Sequence, residues 1–178
     1  MPFTIVRDDI TKKDVDAIVN AANTDLAMGG GVCGAIFKAA GVQELQAACT
    51  LFAPIETGDA IITPGFGLTA KYIIHTAGPV YSRHNPEESE TLLRASYINS
   101  LKLAVENDCE SIAFPLISSG IYGYPKDEAI RVAVTAIHDF IAEHDITVLL
   151  VVFDDEVFSV GKEFLAAVEL RDMEQKRG

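Results

Sequence analysis

The stretch from Ile146 to Phe153 reads ITVLLVVF and is apolar almost without interruption. A strand with one wet face alternates apolar and polar residues, whereas a strand covered on both faces does not. The run therefore predicts a strand lying between two helical layers. Ser111–Pro115, with Ile112, Ala113 and Phe114, and Ala17-Ile18-Val19 have the same character. Strands of this kind alternate along the chain with helical patterns. That order predicts an α/β fold, a three-layer α/β/α arrangement around a mostly parallel sheet. A length of 178 residues fits one domain spanning 1–178.

The remaining elements follow in order. Phe3 to Val6 is a short strand, and Arg7 to Thr11 a polar turn. Asp14 to Val19 enters the second strand. A helix opens near Gly31 with Val32, Ala35, Ile36, Ala39 and Ala40 as its apolar pattern, and stops at Gly41. Val42 to Phe52 is a second helix, broken by Pro54. Asp59 to Thr63 and Tyr72 to Thr76 are strands. Pro86 starts a long helix in which Leu93, Tyr97, Leu101 and Val105 recur every four residues. Pro125 to Glu143 and Val157 to Glu174 complete the helices.

In open α/β sheets, ligands sit outside the carboxyl ends of the strands. Three strand-end loops stand out: Asn20 to Gly31, Ser118 to Tyr124, and Phe153-Asp154. The first runs from a strand through Asn20 and Asn23 to Gly29-Gly30-Gly31 and then into a helix. This order gathers backbone N–H groups and the positive end of a helix dipole, a place for an anion. Asn20 reads as a turn residue bonding its own backbone, and Asn23 as a group reaching further out toward sugar hydroxyls. Ser118-Ser119-Gly120-Ile121-Tyr122-Gly123 is a second small-residue loop, and the two together suit a diphosphate clamp.

Competing readings fail on context. Gly29 to Gly34 satisfies G-x-G-x-x-G, but Ala21 to Met28 separate it from its strand and no acidic residue closes the next one, which argues against a nicotinamide-binding fold. No Gly-Lys-Ser/Thr follows, so a Walker-type loop is absent. The net charge of −12 argues against nucleic acid or anionic membrane as partners. Cys33, Cys49 and Cys109 are unpaired by any spacing, and Cys33 reads as a small packed residue rather than a nucleophile. His75 reads as a satisfied core residue, while His138 and His144 read as helix-surface residues. No metal-ligand spacing is present, and neither metal nor cofactor is expected. The N-terminus lacks a basic-then-apolar leader pattern, and the longest aliphatic run is too short to span a bilayer. A soluble, reducing, cytoplasmic setting is the expectation.

Several ordered motifs extend over almost the whole chain: Asp9-Ile10-Thr11, Val19-Asn20-Ala21-Ala22-Asn23, Gly29-Gly30-Gly31-Val32, Ile74 to Pro79 (IHTAGP), and Ser119 to Pro125 (SGIYGYP). On these residues the chain resembles the macrodomains, which bind ADP-ribose. The resemblance implies a mixed, mostly parallel six-stranded sheet. It implies that Asp9 accepts from the adenine amino group beside the Ile10 N–H, a pairing guanine cannot offer. It places Phe153 against the adenine face. Gly30, Gly31, Val32 and Cys33, with Ser118, Ser119, Gly120, Ile121 and Tyr122, become the two diphosphate loops. Ala22 and Ile36 complete the ligand-binding set.

The same resemblance gives Asn23 the distal ribose to orient and lets Tyr122 close over the site and exclude bulk water. These two are the catalytic candidates. In the hydrolytic MacroD-like branch the glycine run continues Val-Asp-Gly-Ala-Ile-His; here it reads Val32-Cys33-Gly34-Ala35-Ile36-Phe37. Other macrodomains, including viral ones that hydrolyse, carry a small neutral residue at the position of Cys33. The implied activity is release of ADP-ribose from modified acidic residues, or deacetylation of O-acetyl-ADP-ribose. The implied partners are ADP-ribose, ADP-ribosylated protein and O-acetyl-ADP-ribose. The alternative is a reader of ADP-ribose without turnover.

Overall fold

A computed structural model describes residues 2–177. Six strands form one sheet: β1 (Phe3–Arg7), β2 (Ala17–Ala22), β3 (Ala60–Pro64), β4 (Tyr72–Ala77), β5 (Ser111–Pro115) and β6 (Thr147–Val152). Five α-helices accompany them: α1 (Gly31–Ala40), α2 (Val42–Thr50), α3 (Pro86–Glu106), α4 (Lys126–Ile141) and α5 (Asp155–Arg177). The strand order is β1-β6-β5-β2-β4-β3. Every neighbouring pair is parallel except β3 with β4, which is antiparallel. The sheet is therefore mixed and mostly parallel, as expected.

Helices cover both faces, giving the three-layer α/β/α architecture. On one face α3, α4 and α5 bury Leu93, Tyr97, Leu101, Ile130, Ile137 and Leu165 against Val19, Ile112, Phe114, Val148 and Leu150. On the other, α1 and α2 bury Ile36, Phe37, Leu45 and Cys49 against Ile18, Ile73, Ala113 and Val151. β6 shows why its sequence lacks alternation, since Val148 and Leu150 belong to the first core and Val151 to the second.

Two local expectations change. Asn20 is a buried residue of β2, not a turn residue: its Nδ2 meets His75 Nδ1 at 3.0 Å, and β2 continues to Ala22. Val105 is 37% exposed, and Ala104 takes the buried position instead. A strict four-residue repeat drifts by about 40° per step on a 3.6-residue helix, so its fourth member leaves the core face.

One register detail creates the site. β2 and β5 pair only through Ala17 with Ile112 and Ile18 with Ala113, whereas β2 pairs with β4 over six residues. Past Ile18 the two central strands diverge. Their carboxyl ends thus stand apart on the sheet edge where ligands of such folds bind.

Candidate functional site

A cleft of about 620 Å³ opens at that edge, lined by residues from both diverging strand ends, from the N-terminus of α1 and from the end of β6. Its volume lies within the range of small-molecule and cofactor sites. The lining is mainly apolar and backbone. Its charged members are Asp9, Lys126 and Asp154.

The first wall begins where β2 ends. Asn23 brackets the following loop by accepting from the Ala27 N–H at 3.1 Å and donating to the Ala27 carbonyl at 3.0 Å. Gln46 on α2 grips the same loop from outside, accepting from the Met28 N–H and donating to the Leu26 carbonyl, both at 3.1 Å. Leu26, at a φ of +53° and buried, anchors the loop in the core. The loop delivers the chain to Gly30, which caps α1 without a side-chain hydrogen bond. The opening N–H groups of a helix have no intrahelical partner, so those of Gly31, Val32 and Cys33 remain available at the cleft wall. Gly31 has a φ of +56°, a left-handed conformation that glycine adopts without the steric cost a side chain would add. Gly34 must also be glycine, because a Cβ there would lie 2.7 Å from the Gly29 carbonyl oxygen.

The second wall is the loop after β5. Tyr97 of α3, fully buried, accepts from the Ile117 N–H at 3.0 Å and donates to the Pro115 carbonyl at 3.3 Å. Burial pushes its phenol well above the usual tyrosine range. The loop is closed by bonds from the Tyr124 N–H to the Ser118 carbonyl and from the Gly123 N–H to the Gly120 carbonyl, both 3.0 Å. Ser119 donates its hydroxyl to the Leu116 carbonyl at 2.8 Å. Tyr122 is half-buried in the lining, and burial raises its phenol pKa. Its carbonyl accepts from the Tyr81 N–H at 2.9 Å. Ile121 is 98% exposed beside it.

At the far end, Asp9 caps the 3-10 turn of Ile10–Lys12. One carboxylate oxygen accepts from the Thr11 hydroxyl at 2.7 Å and the Thr11 N–H at 3.0 Å, which holds the acid below the usual carboxylate range and leaves the other oxygen without these bonds. Phe153 stands 65% exposed at the end of β6. Asp154 then caps α5 through the Glu156 and Val157 N–H groups, and its pKa is lowered by them.

The expected site residues thus converge, with one exception. Asp9, Ile10, Ala22, Asn23, Gly30, Gly31, Val32, Cys33, Ser118, Ser119, Gly120, Ile121, Tyr122 and Phe153 all line the cleft. Ile36 does not: it is fully buried against the sheet, and Ala35 lines the cleft in its place. On a helix whose first turn faces the ligand, the residue one position earlier occupies the cleft side while its neighbour turns about 100° toward the core. Cys33 lines the cleft with its thiol 3.9 Å from the Ala27 carbonyl.

Gln46, Tyr97, Gly78 and Lys126 were not anticipated in this site. Tyr97 and Gln46 lie on helices distant in sequence, with patterns that signal only a core face and a solvated face. Gly78 sits in the IHTAGP motif, the one local signal available for it. Among the described residues no three potential metal ligands cluster, and no helix is long and apolar enough to cross a membrane.

Comparison with known proteins gives a consistent picture. Residues 19–133 match the model of the Macro domain family. A macro domain-containing protein of Mesorhizobium japonicum is 49% identical over 162 residues, covering 90% of this chain and 91% of the relative. The O-acetyl-ADP-ribose deacetylase of Salmonella typhimurium is 48% identical over 158 residues, covering 85% of this chain and 87% of the enzyme. Among solved structures, a variant of the Oceanobacillus iheyensis macrodomain with ADPR superposes with a TM-score of 0.88 at 40% identity, covering 93% of this chain and 92% of that one.

Proposed function

The chain belongs to the macro domain family, and from that premise we propose that it binds ADP-ribose and hydrolyses its esters. The substrates are ADP-ribose carried on acidic side chains and O-acetyl-ADP-ribose. Residues 1–178 act as a single macro domain, in the cytoplasm, where three free thiols persist. The observation that carries this reading is the pairing of two backbone-lined loops across one cleft, Gly30 to Cys33 facing Ser118 to Tyr122, between Asp9 at one end and Asn23 in the wall.

The assignment of parts follows from the chemistry of each. A diphosphate between the loops accepts from N–H groups that the protein leaves unspent. Asp9 accepts from the adenine amino group through its freer oxygen, with Phe153 against the ring. Asn23 is held by Ala27 at a fixed position from which its remaining hydrogen-bonding capacity serves the distal ribose. Attack is by a water oriented by the substrate's own phosphate. On ADP-ribose carried on an acidic side chain it strikes the anomeric carbon, where the bond to the acyl oxygen breaks and the carboxylate leaves. On O-acetyl-ADP-ribose it strikes the acetyl carbonyl carbon, where the ester C–O bond breaks, the ribose hydroxyl is regenerated and acetate leaves. Tyr122 closes the cleft over this water, keeping bulk water out. The likeness to the Salmonella deacetylase supports the ester as substrate.

A specific observation favours a second reading, a non-catalytic reader. The thiol of Cys33 occupies the helix position where the MacroD-like branch carries a carboxylate, so no acid lies there to move a proton. One experiment decides. Purified protein is incubated with O-acetyl-ADP-ribose and with protein automodified on acidic residues, while calorimetry measures ADP-ribose binding. Turnover together with binding establishes the hydrolase. Binding without turnover over hours establishes the reader, and absence of binding overturns both.

A further inference from the structure

One cation stands unpaired beside the second loop. The 3-10 turn Tyr81–Arg83, which follows β4, is docked on that loop twice. The Tyr81 N–H donates to the Tyr122 carbonyl at 2.9 Å, and the Tyr81 and Tyr124 rings meet edge to face with centroids 4.8 Å apart. Arg83 ends the turn, its N–H on the Val80 carbonyl at 3.0 Å, and is exposed. Among the described residues its guanidinium has no ion pair. It engages neither Glu87 nor Glu88 in the first turn of α3, and Glu88 pairs instead with His84 at 2.9 Å. Beside Tyr124, Arg131 takes both Glu90 and Glu128 at 2.8 Å. Arg7 and Arg94 also have carboxylate partners, while Arg171 and Arg177 lie near the end of α5. Arg83 is thus the one arginine left free beside the cleft, on a chain with 26 acidic and 14 basic residues.

Sheet order fixes which end of the cleft this is. The order β1-β6-β5-β2-β4-β3 puts Asp9 and Phe153, after β1 and β6, on one side of the second loop, which follows β5. Asn23 and Arg83 follow β2 and β4 on the other side. Burial raises the Tyr122 phenol pKa; the Arg83 charge partly offsets this and the Cys33 thiol adds to it, so the three groups are neighbours. A Cβ on Gly29 would lie 3.8 Å from Cys33 Sγ and 3.9 Å from Asn23 Nδ2, which puts Asn23 at the same end. ADP-ribose with its adenine at Asp9 therefore presents its distal ribose, and whatever that ribose is joined to, toward Arg83. We propose that Arg83 selects the protein that carries the ADP-ribose: outside the cleft, its guanidinium receives the carboxylate of an acidic residue flanking the modified side chain. A guanidinium fork matches a carboxylate at two points. It gives a local attraction to an acidic segment that the net charge of −12 otherwise repels. The proposal rests on the ADP-ribose reading of the cleft and deepens it by naming the carrier.

The test uses full-length protein and two synthetic peptides, each with one ADP-ribosylated glutamate, flanked by aspartates in one and by alanines in the other. The parent should favour the aspartate peptide in kcat/KM by about fivefold, the size of one exposed charge pair, through KM rather than kcat. The preference should shrink as salt screens the pair, between about 0.05 and 0.5 M NaCl. Arg83→Ala should erase it, Arg83→Glu should invert it, and Arg83→Lys should retain most of it. Melting temperature should hold in all three variants. Their ADP-ribose affinity and O-acetyl-ADP-ribose turnover should stay within about twofold of the parent, because neither involves the carrier. If the protein binds without turnover, calorimetric affinities for the two peptides give the same comparison. No preference in the parent, or an equal loss on both peptides in Arg83→Ala, overturns the inference and leaves the ADP-ribose reading intact. Weaker ADP-ribose binding in Arg83→Ala also overturns it, by making Arg83 part of the ligand site itself. If the parent binds neither ADP-ribose nor peptide, the inference and the reading it rests on fall together.

Discussion

At the scale of single residues, chemistry in the cleft turns on the first turn of α1. Cys33 packs its thiol toward the Ala27 carbonyl, and among the described residues no titratable side chain is hydrogen-bonded to it. A thiol without a base is a poor nucleophile. Replacement of Cys33 by alanine should therefore leave ester turnover within about threefold of the parent. Cys33→Asp introduces a general acid–base group where the helix dipole favours a negative charge, and should raise turnover by at least about tenfold. Steady-state assays on O-acetyl-ADP-ribose check both, and a dead alanine variant would restore the thiol to the mechanism. Gly34 one position on is constrained by the glycine loop itself, since a Cβ at 2.7 Å from the Gly29 carbonyl forces that loop away from α1. Gly34→Ala should weaken ADP-ribose binding more than about tenfold in calorimetry, with the circular dichroism spectrum of the fold retained.

At the scale of elements, β4 carries a buried polar chain beneath the site. His75 is fully buried and takes a hydrogen bond from Asn20 Nδ2 on β2 at 3.0 Å, while its Nε2 meets the Thr63 hydroxyl on β3, also at 3.0 Å. The Cys49 thiol lies 3.8 Å from the same ring, its own pKa pushed up to about 11 by burial, so it stays neutral throughout the acid range. Desolvation lowers the His75 pKa from 6.5 to about 4. The unfolded chain thus binds a proton that the folded one refuses. Stability is present in full above pH 6.5 and is lost as pH falls toward 4, to the extent of about 3 kcal/mol. Urea unfolding at pH 7.5 and 4.5 checks this against His75→Gln, whose stability should be lower at pH 7.5 but should change much less between the two pH values. An equal pH loss in the variant would assign the effect to other groups. The elements were legible because every core strand from Ala17 to Val152 lacks alternation and every helix opens or closes on a Gly, Pro, Asn or Asp signal. Asn20 was misplaced for a physical reason: an asparagine favours turns on its own, and only the histidine 55 residues away explains why one lies inside a strand. Ile36 was misassigned because the glycine loop shows that α1 starts at a ligand, but not which face of it turns inward. Tyr97 and Gln46, whose partners are backbone groups of remote loops, leave no local trace.

At the scale of the whole molecule, the site must take an anion on a protein with a net charge of −12. The cleft lining contains one cation, Lys126, which is itself paired with Asp154 at 3.5 Å. Binding therefore rests on backbone dipoles, whose fields are short-ranged, while the long-range field of the protein opposes the approach of a ligand carrying two negative charges. Added salt screens that opposition: the Debye length falls from about 30 Å at 0.01 M to about 10 Å at 0.1 M. Contacts made by N–H groups inside the cleft lie within a few ångströms of the ligand and are screened far less. The sign of the salt effect is thus opposite to that of a phosphate-binding site built from lysine and arginine, where ionic strength weakens association. Stopped-flow measurement of ADP-ribose association should show a rate constant that rises by about twofold between 0.01 and 0.1 M NaCl, with little change in dissociation. A fall in the association rate over that range would mean that a local positive field, such as Lys126 freed from Asp154, outweighs the charge of the whole chain.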